Sequence, residues 1–236
     1  AVTQASGDSG TLVPKHLLMA TGSRPGGLLG IDVNGKKILN SDHALELDQL
    51  PESIIIVGGG VIGVEWASML NDFGVNVTLV EAENRILPGE DEEISQEMTR
   101  LLKKRTIDVL TETKVLPDTV VMEEDVVRLK IQSRGAVSEL SGERLLLAVG
   151  RIANTDDIGL SNTEIKLMNG FIQVNEFMQT AESHIYAIGD VIGGYQLAHV
   201  ASQEGIIAVE HMAGLKPAPL NSRLVPRCTY SRPEVA

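Results

Sequence analysis

The strongest constraint on the fold is residues 53–67, SIIIVGGGVIGVEWA, in which an apolar run meets a cluster of glycines. The run is rich in β-branched residues, which is typical of a strand buried on both faces of a sheet. The glycines that follow have the spacing G-x-G-x-x-G, at Gly58, Gly60 and Gly63. This order predicts a buried strand, a tight glycine turn and a helix in immediate succession.

The continuation of the sequence supports a strand–helix–strand unit. Gly74 is a typical residue at which such a helix ends. Before Gly74, four apolar residues recur at the spacing of one helix face: Trp66, Ala67, Leu70 and Phe73. Residues 76–81 then have the pattern of a second buried strand, with Glu81 as its last residue. The order strand, glycine turn, helix, strand and acid predicts a dinucleotide-binding unit and not merely a structural turn.

Each part of this unit has a physical role in such a site. Gly58 permits the turn, Gly60 lets the backbone approach a pyrophosphate at the positive end of the helix, and Gly63 lets the helix pack closely on the sheet. Glu81 lies 23 residues after Gly58, where a carboxylate accepts hydrogen bonds from an adenosine ribose. A carboxylate there repels a 2′-phosphate, so NAD is favoured over NADP. Arg85 could pair with such a phosphate, but we interpret it as solvated or salt-bridged.

The remaining pattern indicates an α/β protein. Residues 87–105 predict an amphipathic helix. Acidic residues stand at its N-terminal end and basic residues at its C-terminal end, which complements the helix dipole. Its apolar stripe consists of Ile94, Met98, Leu101 and Leu102. A short strand at 108–113, a hairpin ending at residue 131 with an acidic EED turn, and a helix over 197–211 are also predicted. Three further apolar strands stop at a glycine, and they cover residues 17–22, 145–149 and 185–189.

Composition excludes several classes of function. With 20 basic and 32 acidic residues, the 236-residue chain has a net charge of -12, which disfavours nucleic-acid binding. Cys228 is the only cysteine, so an intramolecular disulfide or redox pair is excluded, and a buried, inert thiol is expected. No apolar run reaches membrane-spanning length, so we assign no membrane segment. His199 and His211, twelve residues apart, could lie near one another on a helix, but we interpret them as structural and assign no metal. The pattern is that of an acidic protein of a reducing cytoplasm.

Four motifs occur in a fixed order: ATGSRP at residues 20–25, GGGVIGVE at 58–65, AVGRIAN at 148–154, and YAIGDV with LAHVASQEG within 186–205. This set resembles the flavoprotein disulfide reductases that bind two dinucleotides. The resemblance implies an α/β fold with a Rossmann-like NAD-binding domain, a parallel sheet plus a β-meander, inserted in part of a FAD-binding domain. Ala153 departs from the family pattern, which usually has proline there.

The resemblance also implies a division of the chain into four parts. Residues 1–46 would end the first segment of the FAD-binding domain, and residues 47–152 would form the NAD-binding domain. Residues 153–222 would be the returning FAD-domain segment, and residues 223–236 would begin the interface domain through which the family dimerises.

Site residues for two cofactors, NAD and FAD, follow from the same resemblance. The NAD site would contain Gly58, Gly59, Gly60, Val61, Ile62, Gly63, Val64 and Glu65 at the pyrophosphate, Glu81 at the ribose, and Val115 and Gly150 elsewhere. The FAD site would contain Thr21, Gly22 and Ser23 at the ADP half, Asp190 at the ribityl chain, and Gln196, Leu197, Ala198 and His199 at the isoalloxazine. Glu65 is the catalytic candidate, because this residue of the family reaches toward the nicotinamide carboxamide. The alternative is an exposed helix carboxylate without a role.

The implied activity is transfer of two electrons from dihydrolipoamide, through a cysteine pair and FAD, to NAD. Such an enzyme is a homodimer that meets the lipoyl domain of 2-oxo acid dehydrogenase complexes. The redox-active cysteine pair, the first glycine motif and the His–Glu pair of the family have no match in these residues, so we expect a fragment without turnover. We also expect exposed apolar surface where other parts dock. Two alternatives stay open: a sister disulfide reductase or NADH oxidase, and a noncatalytic nucleotide-binding module.

Overall fold

The computed structural model describes residues 2–3 and 5–236 of the chain. The α-helices in this part are α1 Ser41–Leu45, α2 Val61–Asp72, α3 Glu92–Lys104 and α4 Ala198–Met212. The strands are β1 Val2–Thr3, β2 Ser9–Gly10, β3 Leu17–Met19, β4 Ser23–Pro25, β5 Ile38–Leu39, β6 Ser53–Val57, β7 Asn76–Val80, β8 Asp108–Leu110, β9 Thr113–Met122, β10 Val127–Ser133, β11 Ala136–Gly142, β12 Arg144–Leu147, β13 Arg151–Ala153, β14 Leu167–Met168, β15 Phe171–Ile172 and β16 Ile185–Ala187. Single turns of 3₁₀-helix cover Leu160–Asn162, Gly189–Ile192 and Ser222–Leu224.

The chain divides into two compact units. The sheet unit consists of Pro25–Arg151 together with Pro226–Ala236. The flanking unit consists of Ala1–Arg24 together with Ile152–Val225. The sheet unit therefore interrupts the flanking unit in sequence and takes up the last residues of the chain. The four-part division into domains stays a prediction.

A five-stranded parallel sheet forms the centre of the sheet unit, in the order β5-β12-β6-β7-β8. The apolar runs of the sequence become its middle strands, and Ile55 of β6 lies opposite Leu145 of β12. Successive side chains of a strand point to opposite faces. Ile54 and Ile56 therefore pack in a cluster with the helices, whereas Ile55 and Val57 pack in a cluster with the meander. Burial on both faces explains why all four residues are apolar.

The meander of the sheet unit is the antiparallel sheet β11-β10-β9. Met122 of β9 pairs with Val127 of β10, so the acidic EED lies at the turn between them, as predicted. Val127, Leu129 and Ile131 alternate inward from β10 and are buried. A parallel sheet with helices on one face and a meander on the other confirms the predicted Rossmann-like α/β fold.

Helices α2 and α3 follow the predicted patterns with two exceptions. Phe73 continues the apolar spacing of α2 but is its C-terminal cap and is 61% exposed, and Gly74 ends the helix with φ +86°. In α3 the buried residues of the predicted stripe are Met98 and Leu102, whereas Ile94 is 45% exposed in the first turn. Spacing marks a face of a helix, but it does not show how far along that face the neighbouring elements extend.

The flanking unit contains the parallel pair β3–β16 and helix α4. The hydroxyl of Tyr186 lies 2.8 Å from Nδ1 of His211, and the ring of Phe177 stacks on the same imidazole at a centroid distance of 4.7 Å. These contacts make His211 part of the packing between α4 and the sheet. Among residues 2–3 and 5–236, no helix combines the length and apolarity needed to cross a membrane.

Candidate functional site

The glycine turn between β6 and α2 is closely packed at two of its three motif positions. Gly58 has φ +112°, and a Cβ there would lie 2.3 Å from the carbonyl oxygen of Ala148 on the neighbouring strand connection. At Gly63 a Cβ would lie 1.8 Å from the carbonyl oxygen of Gly58. The fold itself therefore requires glycine at both positions, because no side chain has room there.

Gly60 differs from the other two glycines. Its φ of -72° suits any residue, and a Cβ at Gly60 would meet no heavy atom within 4 Å. Packing and backbone conformation thus give no reason for a glycine at this position. The surface above Gly60 is open, and it leaves the backbone accessible to a ligand that must come closer than a side chain would permit.

Gly60 is also the N-cap of α2, and in the described part of the chain no side chain caps this helix end. The first N–H groups of a helix have no partner within the helix, and they form its positive end. The first turn of α2 contains no acidic residue that would neutralise it. The loop and the helix end together make a cradle suited to a diphosphate.

Glu81 lies one residue past the end of β7 and contacts this cradle. Its Oε2 accepts a hydrogen bond from the Gly59 amide at 2.5 Å, and its Oε1 accepts one from the Glu83 amide at 2.8 Å. These bonds hold the carboxylate beside the glycine loop, where its remaining lone pairs can accept hydroxyl donors. The nearby Arg85 donates to the carbonyl oxygen of Pro88 at 3.0 Å.

The other predicted NAD residues of the sheet unit lie in three different environments. Glu65, on α2, is half-buried, and its Oε1 accepts the amide of Tyr230 at 2.8 Å. Val115, on β9, is only 9% exposed and belongs to the cluster between sheet and meander, so its side chain is a core residue. Gly150 has φ +117°, and its carbonyl oxygen accepts the amide of Gly26 at 2.8 Å.

In the flanking unit, Thr21 and Gly22 are held by a residue to which the sequence analysis gave no role. Asn154 donates its backbone amide to the Gly22 carbonyl at 2.9 Å and its Nδ2 to the Thr21 carbonyl at 2.9 Å. The hydroxyl of Thr21 in turn donates to the carbonyl of Asn154 at 2.8 Å. Asn154 ends the AVGRIAN motif, and that position was the only signal of its importance.

Two further predicted residues of the flanking unit, Ser23 and Asp190, are in direct contact. The hydroxyl of Ser23 donates to Oδ2 of Asp190, which lies in the 3₁₀ turn after β16. Behind this turn, buried Glu204 of α4 accepts the amide of Gly189 at 2.7 Å. Burial raises the pKa of Glu204, the hydrogen bond from Gly189 opposes this, and the charge of Asp190 raises the pKa further.

The segment that begins α4 contains one buried side-chain donor that has no acceptor among the described residues. Gln196 has a left-handed backbone with φ +49°, and its Nε2 is buried without a hydrogen-bond partner among the described residues. Leu197 is the N-cap of α4 and gives it no side-chain cap, and Ala198 and His199 are exposed. A buried amide donor beside an uncapped helix end fits a group with hydrogen-bond acceptors, such as a flavin.

Cys228 differs from the prediction of a buried thiol, because it is half-buried. Partial burial raises its pKa, and the charges of Glu234 and Glu65 raise it further, so the protonated thiol is favoured. The inertness of this thiol stays a prediction. Within the described ranges, no group of three or more His, Cys, Asp or Glu residues is placed to hold a metal ion.

A glycine cradle at a helix end, with an acid at the end of the next strand, defines a protein that binds dinucleotides. The family described as pyridine nucleotide-disulphide oxidoreductase matches residues 1–205, and the chain belongs to this family. The family description confirms the predicted class of protein, the pyridine nucleotide-disulphide oxidoreductases.

Individual relatives are also similar. Dihydrolipoyl dehydrogenase of Bacillus subtilis (strain 168) is 60% identical over 225 residues, which are 95% of this chain and 48% of the relative. The enzyme of the same name from Zymomonas mobilis is 39% identical over 236 residues, 100% of this chain and 50% of that protein. This chain therefore spans about half the length of the curated relatives it matches.

Solved structures show the same fold. LpdA from Mycobacterium tuberculosis superposes with a TM-score of 0.89 at 30% identity, over 98% of this chain and 50% of that one. The HOCl-induced flavoprotein disulfide reductase RclA from Escherichia coli superposes with a TM-score of 0.82 at 27% identity, over 93% of this chain and 50% of that one. The likeness extends across both units, so the assignment to the family does not depend on the glycine motif alone.

Proposed function

We propose that the sheet unit binds NAD with its pyrophosphate at the N-terminus of α2. The observation that carries this proposal is Gly60, where neither backbone conformation nor packing requires glycine. A bound diphosphate supplies the missing reason, because its oxygens must approach the main-chain amides closely. The uncapped end of α2 supplies the donors.

The remaining contacts of NAD follow from the two carboxylates of this site. Glu81 would accept the ribose hydroxyls of the adenosine half, and its negative charge disfavours a 2′-phosphate. Glu65, one turn into α2, would accept the amide of the nicotinamide carboxamide. Val115, through its backbone, and Gly150 would contact other parts of the molecule.

The residues of the flanking unit fit the second cofactor, FAD. Thr21, Gly22 and Ser23 would border its ADP half, and Asp190, already held by Ser23, would accept ribityl hydroxyls. The side-chain amide of Gln196, which has no hydrogen-bond partner among the described residues, would donate to the isoalloxazine, and Leu197, Ala198 and His199 would line it. The flavin, when bound, supplies two-electron transfer between a thiol pair and the nicotinamide.

For the whole protein we propose oxidation of dihydrolipoamide with NAD as the acceptor, by a cytoplasmic homodimer that meets the lipoyl domain of 2-oxo acid dehydrogenase complexes. Support comes from the relatives of this chain, which include dihydrolipoyl dehydrogenases at 60% and 39% identity. The 236 residues contain one cysteine. Because the reaction needs a cysteine pair, we expect no lipoamide-dependent NAD reduction by these residues alone.

Calorimetric titration of the purified chain tests the NAD proposal. We expect NAD to bind at least about tenfold more tightly than NADP, since each 1.4 kcal/mol of repulsion is a factor of ten. Gly60→Ala should weaken NAD binding by about tenfold or more, because its methyl group occupies the approach of the pyrophosphate. Unchanged NAD affinity in a folded Gly60→Ala variant would contradict the cradle.

A further inference from the structure

The last segment of the chain, Pro226–Ala236, is called the strap because it lies along one face of α2. Its contacts on the helix are spaced by one turn each. The Tyr230 amide donates to Oε1 of Glu65 at 2.8 Å, and the Arg232 amide donates to Oγ of Ser68 at 2.9 Å. One turn further, the guanidinium of Arg232 lies 3.6 Å from Oδ1 of Asp72. The strap therefore follows the helix from its middle to its end.

The strap has an ordered conformation of its own. Thr229 is 2% exposed, and it exchanges two backbone hydrogen bonds with Val235, of 2.8 and 3.1 Å. Between them, the hydroxyl of Ser231 donates to the Pro233 carbonyl at 2.8 Å. Val235 packs against the apolar cluster between α2, α3 and the sheet. These contacts close the strap into a turn that is attached to the core of the sheet unit.

One guanidinium joins the strap to both helices. Arg105 is the C-terminal cap of α3, and its side chain is 20% exposed. Its Nη1 donates to Oγ of Ser68 at 2.8 Å and to the Arg232 carbonyl at 2.7 Å. Its Nη2 donates to the Ser68 carbonyl at 3.0 Å and to Oδ1 of Asp72 at 2.8 Å. The planar fork of Arg makes four bonds with a fixed geometry here, which lysine could not reproduce.

These contacts have a consequence for Glu65. Within the described part of the chain, Oε1 of Glu65 accepts the Tyr230 amide and Oε2 accepts no hydrogen bond. A long carboxylate side chain on a helix surface otherwise samples several rotamers. The bond to a charged acceptor is stronger than one between neutral groups, so it selects one orientation and leaves Oε2 for another donor.

We propose that Arg105 and the strap position Glu65 for the nicotinamide end of NAD, which rests on the proposed function. Arg105 bonds to Ser68 and to Arg232, two residues from the Tyr230 amide, and among the described residues no hydrogen bond or ion pair joins it to Glu65. It is therefore a positioning residue, and its effect on NAD passes through the strap. The ligand feature that it serves is the carboxamide, a neutral donor that needs one carboxylate oxygen in a fixed place.

Comparing NAD with ADP-ribose on the 236-residue chain tests this proposal, because ADP-ribose keeps the pyrophosphate and both riboses but lacks the nicotinamide. Arg105→Met should weaken NAD binding about fivefold, the size of one lost hydrogen bond, and ADP-ribose binding less than about twofold. Arg100→Met, which removes an exposed ion pair from the same helix, should change neither the NAD affinity nor the ADP-ribose affinity.

A second pair of variants acts on the amide donor directly. Tyr230→Pro removes the backbone N–H that donates to Glu65. Tyr230→Ala removes the tyrosine side chain but keeps this N–H. Only Tyr230→Pro should weaken NAD binding relative to ADP-ribose binding. Combining it with Glu65→Gln should cause no further loss of NAD affinity. This pair decides the question if Arg105→Met fails to fold.

The possible outcomes separate the two proposals. If Arg105→Met loses the same factor of affinity for NAD and for ADP-ribose, Arg105 has a structural role and the positioning proposal is overturned. Unchanged binding of both ligands overturns it as well, while NAD binding by the parent chain preserves the proposed function. If the parent chain binds neither NAD nor ADP-ribose, the proposed function fails, and the positioning proposal fails with it.

Discussion

Gly63 and Gly60 share one motif but have different physical roles. A Cβ at Gly63 would lie 1.8 Å from a backbone oxygen, which cannot rotate away as a side chain can. Gly63→Ala should therefore lower the free energy of unfolding by about 3 kcal/mol or more. Gly60→Ala, whose methyl group meets no atom, should cost only about 1 kcal/mol as a poorer N-cap. Urea unfolding of both variants measures the difference, and equal losses would contradict the steric role of Gly63.

Glu81 is the residue that we propose selects NAD over NADP. Its carboxylate is fixed beside the loop by the amides of Gly59 and Glu83. Glu81→Gln keeps one acceptor oxygen, replaces the other oxygen with an amide donor, and removes the charge that repels a 2′-phosphate. We expect the free energy of NAD binding to become less favourable by about 1–2 kcal/mol, the strength that a charged acceptor adds to a hydrogen bond. NADP affinity should stay the same or improve. Calorimetry with both nucleotides checks this, with Glu83→Gln as the matched neighbour whose selectivity should stay that of the parent.

The residues of the glycine loop were predictable because their roles are local. Gly58, Gly63 and Glu81 act within one strand–helix–strand unit, so their spacing in sequence reports their spacing in space. Arg105 is the opposite case, because its partners lie 37 residues before it, at Ser68, and 127 residues after it, at Arg232. A cap residue at the end of a charged helix has no pattern that would indicate such partners.

At the scale of elements, α3 carries Arg105 to its place, so the stability of this helix matters for the site. Asp91 caps its N-terminus by accepting the Glu93 amide at 3.0 Å. Asp91→Ala should cost about 1 kcal/mol of stability, and Asp91→Asn, which keeps the acceptor, much less. Chemical denaturation followed by helix circular dichroism measures both. A loss of equal size in the two variants would assign the effect to charge and not to capping.

Strand and helix identities were predictable, and their ends were less so. Apolar runs predicted β6 and β12 because both strands are buried on two faces. β3, β12 and β16 end two or three residues before the predicted glycine, at Met19, Leu147 and Ala187. Gly22, Gly150 and Gly189 have positive φ, so these glycines themselves cannot extend the strands. Sequence marks the glycine, but not where pairing stops.

At the scale of the whole molecule, acidic residues outnumber basic ones by 32 to 20, and most of the acidic side chains are exposed. Glu204 is the exception in the flanking unit, because it is buried behind the turn that carries Asp190. Its folded-state pKa is raised, chiefly by burial. In the unfolded chain the same carboxyl titrates near the ordinary value for glutamate. The folded state therefore holds this proton more tightly than the unfolded state does.

The sign of the resulting pH dependence follows directly. Below the unfolded pKa both states are protonated and Glu204 imposes no penalty, whereas stability is lost as the pH rises from that value through the raised folded pKa. Glu204→Gln keeps an oxygen for the Gly189 amide and never ionises. Its thermal unfolding midpoint should therefore move upward relative to the parent as the pH increases from about 4 to 7. Glu210→Gln, on the same helix and only half-buried, should show no such trend. If the two variants have parallel pH profiles, burial of Glu204 does not control this part of the stability.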